Sequence, residues 1–199
     1  MDVPDTAARL AFVMELDRLK EVLRQSLLYN GSRQENSAEH SWHLAMAVLA
    51  CADLADEPID LAKAVKMALV HDVVEIDSGD VFIYDYIGKP DASAEKFAKE
   101  SKAAQRIFGL MPKEAGEELR GLWEAYERMD TPEARFVYAL DRLLPLIANC
   151  RNNGSSWKKH GISLERVLKH NRKIENGSRT LWQYAEALIH EGVRKGQLS

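Results

Sequence analysis

The chain has 199 residues, 46% apolar and 29% charged, which fits one ordinary domain and excludes the low-hydrophobicity signature of disorder. Its 27 Lys and Arg against 31 Asp and Glu leave a net charge of −4, without the basic excess of a nucleic-acid-binding surface. The acidic start Met1-Asp2-Val3-Pro4-Asp5 is unlike a secretory signal, and the longest apolar run, Ala45 to Ala52, is far short of the ~20 residues that cross a bilayer.

From Thr6 to Ser26, Phe12, Leu16, Leu19 and Leu23 recur at steps of four, three and four, the stripe of one helix. Leu44, Val48, Leu49 and Ala52 repeat that spacing between Ala38 and Ala55. Pro58 and Asp60 then introduce a third helix, with Leu61, Val65, Ala68 and Leu69 on one side, that runs into His71. No stretch alternates with period two for long enough to demand a strand. Asp77 to Asp91, with Gly79, Gly88 and Pro90, reads as a loop with at most a short turn. Helical patterns resume at Ser93–Phe108 and Pro112–Arg128.

Thr131-Pro132-Glu133 predicts a helix start, with a capping hydroxyl, a proline where the missing N–H is harmless and an acid in the first turn. The helix continues through Phe136, Val137, Leu140, Leu144 and Ile147 to about Cys150, and Pro145 inside it removes a hydrogen bond to the Asp141 carbonyl. Arg151 to Gly161 reads as a polar connection. Helices at Ser163–Glu175 and Arg179–Lys195 complete an all-α inventory of about eight helices. The expected organisation is a single domain over 1–199, with a catalytic core of about 24–150 on which helices within 162–196 pack. Cys51 and Cys150 form no CxxC motif, and are expected to be reduced, buried thiols of a cytoplasmic protein.

Chemistry concentrates in Glu39-His40-Ser41-Trp42-His43, in His71-Asp72-Val73-Val74-Glu75, and at Asp141. Asp72 and Asp141 fall in strongly apolar helical surroundings, where an unpaired carboxylate is costly, so a cation should meet them. Imidazole and carboxylate donors suit a divalent transition metal, and His40, His71, Asp72 and Asp141 would leave coordination positions open if three helices converge. His71 and Glu75 are four residues apart, so a helix would place Glu75 beside that ion. Arg24 and Arg33 are candidates to clamp a phosphate, which a guanidinium contacts through two oxygens at once.

The ordered set Arg33-Gln34-Glu35-Asn36-Ser37-Ala38-Glu39-His40, Leu69-Val70-His71-Asp72 and Leu140-Asp141, with Glu75 and Gly79-Asp80 after the His-Asp pair, resembles the HD-domain metal-dependent phosphohydrolase superfamily. Within it the chain is most similar to the bacterial 5′-deoxynucleotidase branch. The resemblance implies an HD-type helical bundle in which His40, His71, Asp72 and Asp141 hold one divalent metal, with Mn, Co, Zn, Fe and Ni not distinguished. It implies catalytic proton transfer and substrate placement by Glu75 and Asp80, with Asp80 on the sugar hydroxyl. Arg24 lies near the family's phosphate-binding arginine, but the usual Arg-Trp pair is Arg24-Gln25 here. No histidine occurs between His71 and His160, which favours a single ion.

The activity implied is removal of phosphate from nucleoside or deoxynucleoside 5′-monophosphates by attack of a metal-bound water. The alternatives are another small phosphoester or a non-catalytic metal- and nucleotide-binding module. The implied partners are a small-molecule nucleotide and a second copy of the chain, with no nucleic acid and no membrane. His43 is expected to be structural and Trp42 to lie in the core, while Phe82, Tyr84 and Tyr86 would cover a nucleoside or pack a dimer interface.

Overall fold

Residues 3–86 and 89–198 are described by a computed structural model. Met1 and Asp2 of the acidic start, Gly88 of the expected loop, and Ile87 and Ser199 lie outside the described residues. Helix α1 (Val3–Leu16) ends in a 3-10 turn at Asp17–Glu21, and strand β1 (Leu23–Leu27) follows where the spacing predicts continued helix. β1 pairs antiparallel with β2 (Gln34–Asn36), Leu23 opposite Asn36 and Leu27 opposite Gln34, around a turn in which Gly31 has φ +71°. This hairpin corrects the strand-free reading. Its inward position is Arg24, 7% exposed, whereas Leu23 is 54% exposed, so hydrophobic alternation is absent.

Helix α2 (Ser37–Cys51) opens on a capping box, with the Asn36 side chain accepting from the Glu39 N–H at 2.9 Å and the Glu39 carboxylate accepting from the Asn36 N–H at 3.2 Å. It buries Leu44 and Val48 against α3 (Leu61–Val70). Trp42, expected in the core, is 63% exposed. At about 100° per residue it lies roughly opposite His40 and Leu44, and it shares the outer face with Leu49, which is also exposed.

The chain leaves α3 through tight turns at His71–Val74 and enters the one-turn helices α4 (Glu75–Ser78), which runs into the expected loop, and α5 (Ile83–Tyr86), which lies within it. The Glu75 N–H bonds to the Asp72 carbonyl at 2.9 Å, so His71 and Glu75 are linked by an i to i−3 turn and not by the regular α-helix that their spacing suggested. Then come α6 (Pro90–Phe108), α7 (Lys113–Arg128) and α8 (Pro132–Arg151).

The α8 start is as its sequence predicts: Thr131 Oγ1 accepts from the Ala134 N–H at 3.2 Å. α8 runs through the middle of the fold, against α2, α3, α7, β1 and α11 (Arg179–Arg194). Its buried Phe136, Val137, Leu140 and Leu143 belong to one continuous core. The expected connection 151–161 contains α9 (Ser155–His160), bounded by Gly154 and Gly161 with φ +70° and +59°. Burial of Trp157, 3% exposed, anchors this short helix. α10 (Leu164–Asn171) is followed by a 3-10 turn at Arg172–Asn176. The described residues thus hold eleven α-helices, the additions to the expected eight being mostly single turns. Cys51 and Cys150 are unpaired and half-buried. Among the described residues no helix is long and apolar enough to cross a membrane.

Candidate active site

Three helical segments converge at the centre. His40 comes from the second turn of α2, His71 and Asp72 from the end of α3, and Asp141 from the middle of α8. Nε2 of His40 lies 2.8 Å from Oδ1 of Asp141, and Nε2 of His71 lies 3.1 Å from Oδ1 of Asp72 and 3.8 Å from Oδ1 of Asp141. Donor atoms of His40, His71 and Asp72 all fall within 4.8 Å of one another. The four residues singled out in the sequence are therefore brought together.

The donor set fits a metal ion on two further observations. Nδ1 of His71 is 2.9 Å from the Ala68 carbonyl, which only accepts, so Nδ1 carries a proton and Nε2 is the nitrogen turned to Asp72 and Asp141, where without an ion the two carboxylates favour a second proton and a metal would take its place. That Nε2 is buried and has no hydrogen-bond partner, the condition of a ligand awaiting an ion. On His40, Nδ1 lies 3.4 Å from Oε2 of Glu35, an outer carboxylate placed to orient the ring. Two imidazoles and two carboxylates suit a divalent cation and leave positions for water and substrate.

Charge around the cluster is balanced by two guanidiniums, Arg24 buried and Arg142 partly so. Nη1 of Arg24 donates to Oδ2 of Asp72 at 2.5 Å, and Arg142 donates to Oδ2 of Asp141, where the Tyr126 hydroxyl also donates at 2.6 Å. Although burial opposes it, His71 and Arg24 hold the Asp72 carboxyl below its ordinary value. Against the same opposing burial, Arg142 and the two imidazoles hold Asp141 far below. Both are anionic at neutral pH.

Glu75 behaves oppositely. Burial, reinforced by the charge of Asp72 and opposed by Arg24, pushes its carboxyl up to about 8, and Ser37 Oγ donates to its Oε2 at 2.6 Å. Asp80 is also shifted upward, chiefly by burial. Both line the same cavity as Arg24, His71, Asp72 and Asp141, a space of about 300 Å³.

Arg33 does not line this cavity. It stands 53% exposed and holds the Glu39 carboxylate through both terminal nitrogens, at 2.8 and 2.5 Å, so that it buttresses the capping box of the helix that carries His40. His43 packs edge-on against Tyr29, with ring centroids 5.4 Å apart. Phe82, Tyr84 and Tyr86 all line the cavity.

Several lining residues escaped the sequence reading. Arg142 and Tyr126 had a weak signal, adjacency to Asp141 for one and a tyrosine in an amphipathic helix for the other. Glu100 and Lys96, on α6, and His170, at the end of α10, had none, because only packing turns them towards the centre.

The family profile described as HD domain matches residues 16–182. A 5′-deoxynucleotidase of Schizosaccharomyces pombe is 30% identical over all of this chain and 91% of its own length. A 5′-deoxynucleotidase of Homo sapiens is 34% identical over 67% of this chain, which spans 62% of that relative. For the one from Danio rerio, 33% identical over 69% of this chain, the span is 66%. A crystal structure described as a predicted metal-dependent phosphohydrolase from Magnetospirillum magnetotacticum superposes with TM-score 0.91 at 45% identity, covering 98% of this chain and 99% of that one. With the His/His-Asp/Asp cluster in place on three converging helices, the chain belongs to the HD-domain family.

Proposed function

We propose that this chain is a metal-dependent phosphohydrolase that removes phosphate from nucleoside or deoxynucleoside 5′-monophosphates. The observation that carries the reading is the cluster of His40, His71, Asp72 and Asp141, of which all but His40 line a cavity that also holds Arg24, Glu75 and Asp80. The names of the relatives support the nucleotide as substrate class.

A divalent ion in the cluster supplies Lewis-acid polarisation of a phosphoryl oxygen and lowers the pKa of a water molecule. The remaining work falls to the chain. Arg24, already oriented by Asp72, contributes fixed positive charge beside the phosphate. Glu75 moves the proton: burial keeps it on the carboxyl up to about pH 8 without an ion, and an added cation draws that value down towards neutrality. It then protonates the departing sugar oxygen or accepts from the attacking water. Asp80 accepts from a sugar hydroxyl, and Phe82, Tyr84 and Tyr86 wall off solvent. The reading uses one ion, whose identity is set by supply as much as by ligands.

The proposal extends to a cytoplasmic homodimer. Unpaired Cys51 and Cys150 support the compartment, and the exposed ridge of Trp42, Met46 and Leu49 supports a self-contact. The test of function is phosphate release from nucleotides and sugar phosphates, with and without chelator. Chelator-sensitive release from 5′-monophosphates is expected. Release from sugar phosphates alone would point to another phosphoester, and metal binding with no release would point to a non-catalytic module.

A further inference from the structure

Beyond the metal cluster the cavity extends between α6, the end of α7 and α8, and Tyr86, Tyr126 and Tyr138 line it there. Cations lie over two of these rings, Lys96 Nζ 5.5 Å from the Tyr86 centroid and Arg142 Cζ 5.2 Å from that of Tyr138. This stretch of the lining is aromatic with cations beside its rings, a chemistry suited to a flat heterocycle.

Two residues that line the cavity each carry a buried polar atom with no partner. Glu100 is 3% exposed; one carboxylate oxygen accepts from Lys96 Nζ at 2.5 Å, and Oε2 accepts from nothing. Lys96 provides the counter-charge that keeps this buried group tolerable. His170 is 6% exposed, and its Nε2 lies 3.3 Å from Nη1 of Arg142. A guanidinium only donates, so Nε2 accepts and the ring proton resides on Nδ1, a donor without an acceptor. Proteins rarely leave such atoms unpaired, and beside a cavity a ligand restores the missing bonds.

We propose that this arm reads the leaving group. A heterocycle lies against Tyr86 and Tyr138, an amino group on it donates to Oε2 of Glu100, and His170 Nδ1–H donates to an acceptor elsewhere on the same nucleoside. The proposal rests on the nucleotide reading of the site. It makes Glu100 a specificity residue that favours amino-bearing over keto-bearing bases.

The experiment compares kcat/KM for two substrate pairs, the deoxycytidine and deoxyuridine 5′-monophosphates and the deoxyadenosine and deoxyinosine 5′-monophosphates, in the metal-loaded parent and in Glu100→Gln. The carboxamide preserves an oxygen for Lys96 and turns an N–H towards the substrate. The parent is expected to prefer the amino member of each pair by at least roughly tenfold, and Glu100→Gln to bring the ratio to unity or invert it. Because a ratio within one preparation cancels the folded fraction, loss of stability cannot mimic the result. Equal use of both members by the parent, or a ratio unchanged by the substitution, overturns the proposal. With cytidine 5′-monophosphate measured beside its deoxy counterpart, a substitution that shifts only the ribose-to-deoxyribose ratio also overturns it, placing Glu100 on the sugar. If the parent hydrolyses neither these four nor their ribose counterparts, the function itself is wrong and the specificity claim falls with it.

Discussion

Glu75→Gln tests both the electrostatics and the chemistry of the site. The substitution keeps the side-chain shape, and its carbonyl oxygen can still accept from Ser37 Oγ, now at 2.6 Å from Glu75 Oε2. What changes is the titrating proton. Burial, then the charge of Asp72, raises the folded carboxyl from 4.5 to about 8. Since the folded state holds this proton more tightly, the associated stability is full below pH 4.5 and is lost as pH rises through 8. At 1.36 kcal/mol per pH unit the loss is on the order of 5 kcal/mol for the ion-free protein. For a domain of this size that corresponds to roughly 10–20 °C in Tm.

Thermal unfolding in chelator between pH 5 and 9 should therefore show a steeper decline for the parent than for Glu75→Gln, with the variant gaining at the alkaline end. With metal restored, the variant should keep its ion and lose about 10²–10⁴-fold in kcat. Parallel pH–Tm curves would refute the burial argument, and an unimpaired rate would refute the proton-transfer role.

His71→Ala and Asp141→Ala should each lose bound metal and activity together, measured by elemental analysis and phosphate release; a variant that keeps its ion at full occupancy would remove that residue from the ligand set. Stripping the ion from the parent should lower Tm by roughly 5–11 °C if metal is present at about a hundred times its Kd, and no shift would mean that the cluster does not bind it. Glu133 is held down to about 2: burial opposes this, but the Asp60 N–H at 3.1 Å and Lys63 Nζ at 3.1 Å favour the charged form. Its contribution is present above pH 4.5 and fades as pH falls towards 2, so Glu133→Gln should flatten the acid limb of the stability curve, and an acid limb as steep as the parent's would count against it. Gly177→Ala would set a Cβ 2.3 Å from the Arg135 carbonyl oxygen and 2.8 Å from Phe136 Cα, backbone against backbone. A cost of about 1–3 kcal/mol is expected, read as a lower denaturation midpoint, and an unchanged midpoint would show that the two segments can part freely.

Local rules carried a good deal of this protein. The Thr131 cap with Pro132 behind it predicts the start of α8, because capping involves only residues within one turn. The stripes of α3 and α8 follow from period and burial alone. The same rules fail where an element is specified by a distant partner. β1 turns an arginine inward because Asp72, far along the chain, receives it there. Trp42 and Leu49 share a helical face as their spacing says, but spacing does not say whether that face meets core or solvent. Arg33 looks like a phosphate ligand until Glu39 is seen to occupy it.

Residue types marked His40, His71, Asp72 and Asp141 as side chains that could meet round a cation, and the resemblance of their ordered motifs to the HD family made them the expected ligand set. Tertiary structure decided which neighbours act on them: Arg142 and Tyr126 on Asp141, Ser37 on Glu75, and the unpaired oxygen of Glu100 across the cavity. These relations join residues up to dozens of positions apart. Their energies depend on distance and burial, which a linear pattern does not contain and which the packing of α2, α3, α6 and α8 supplies.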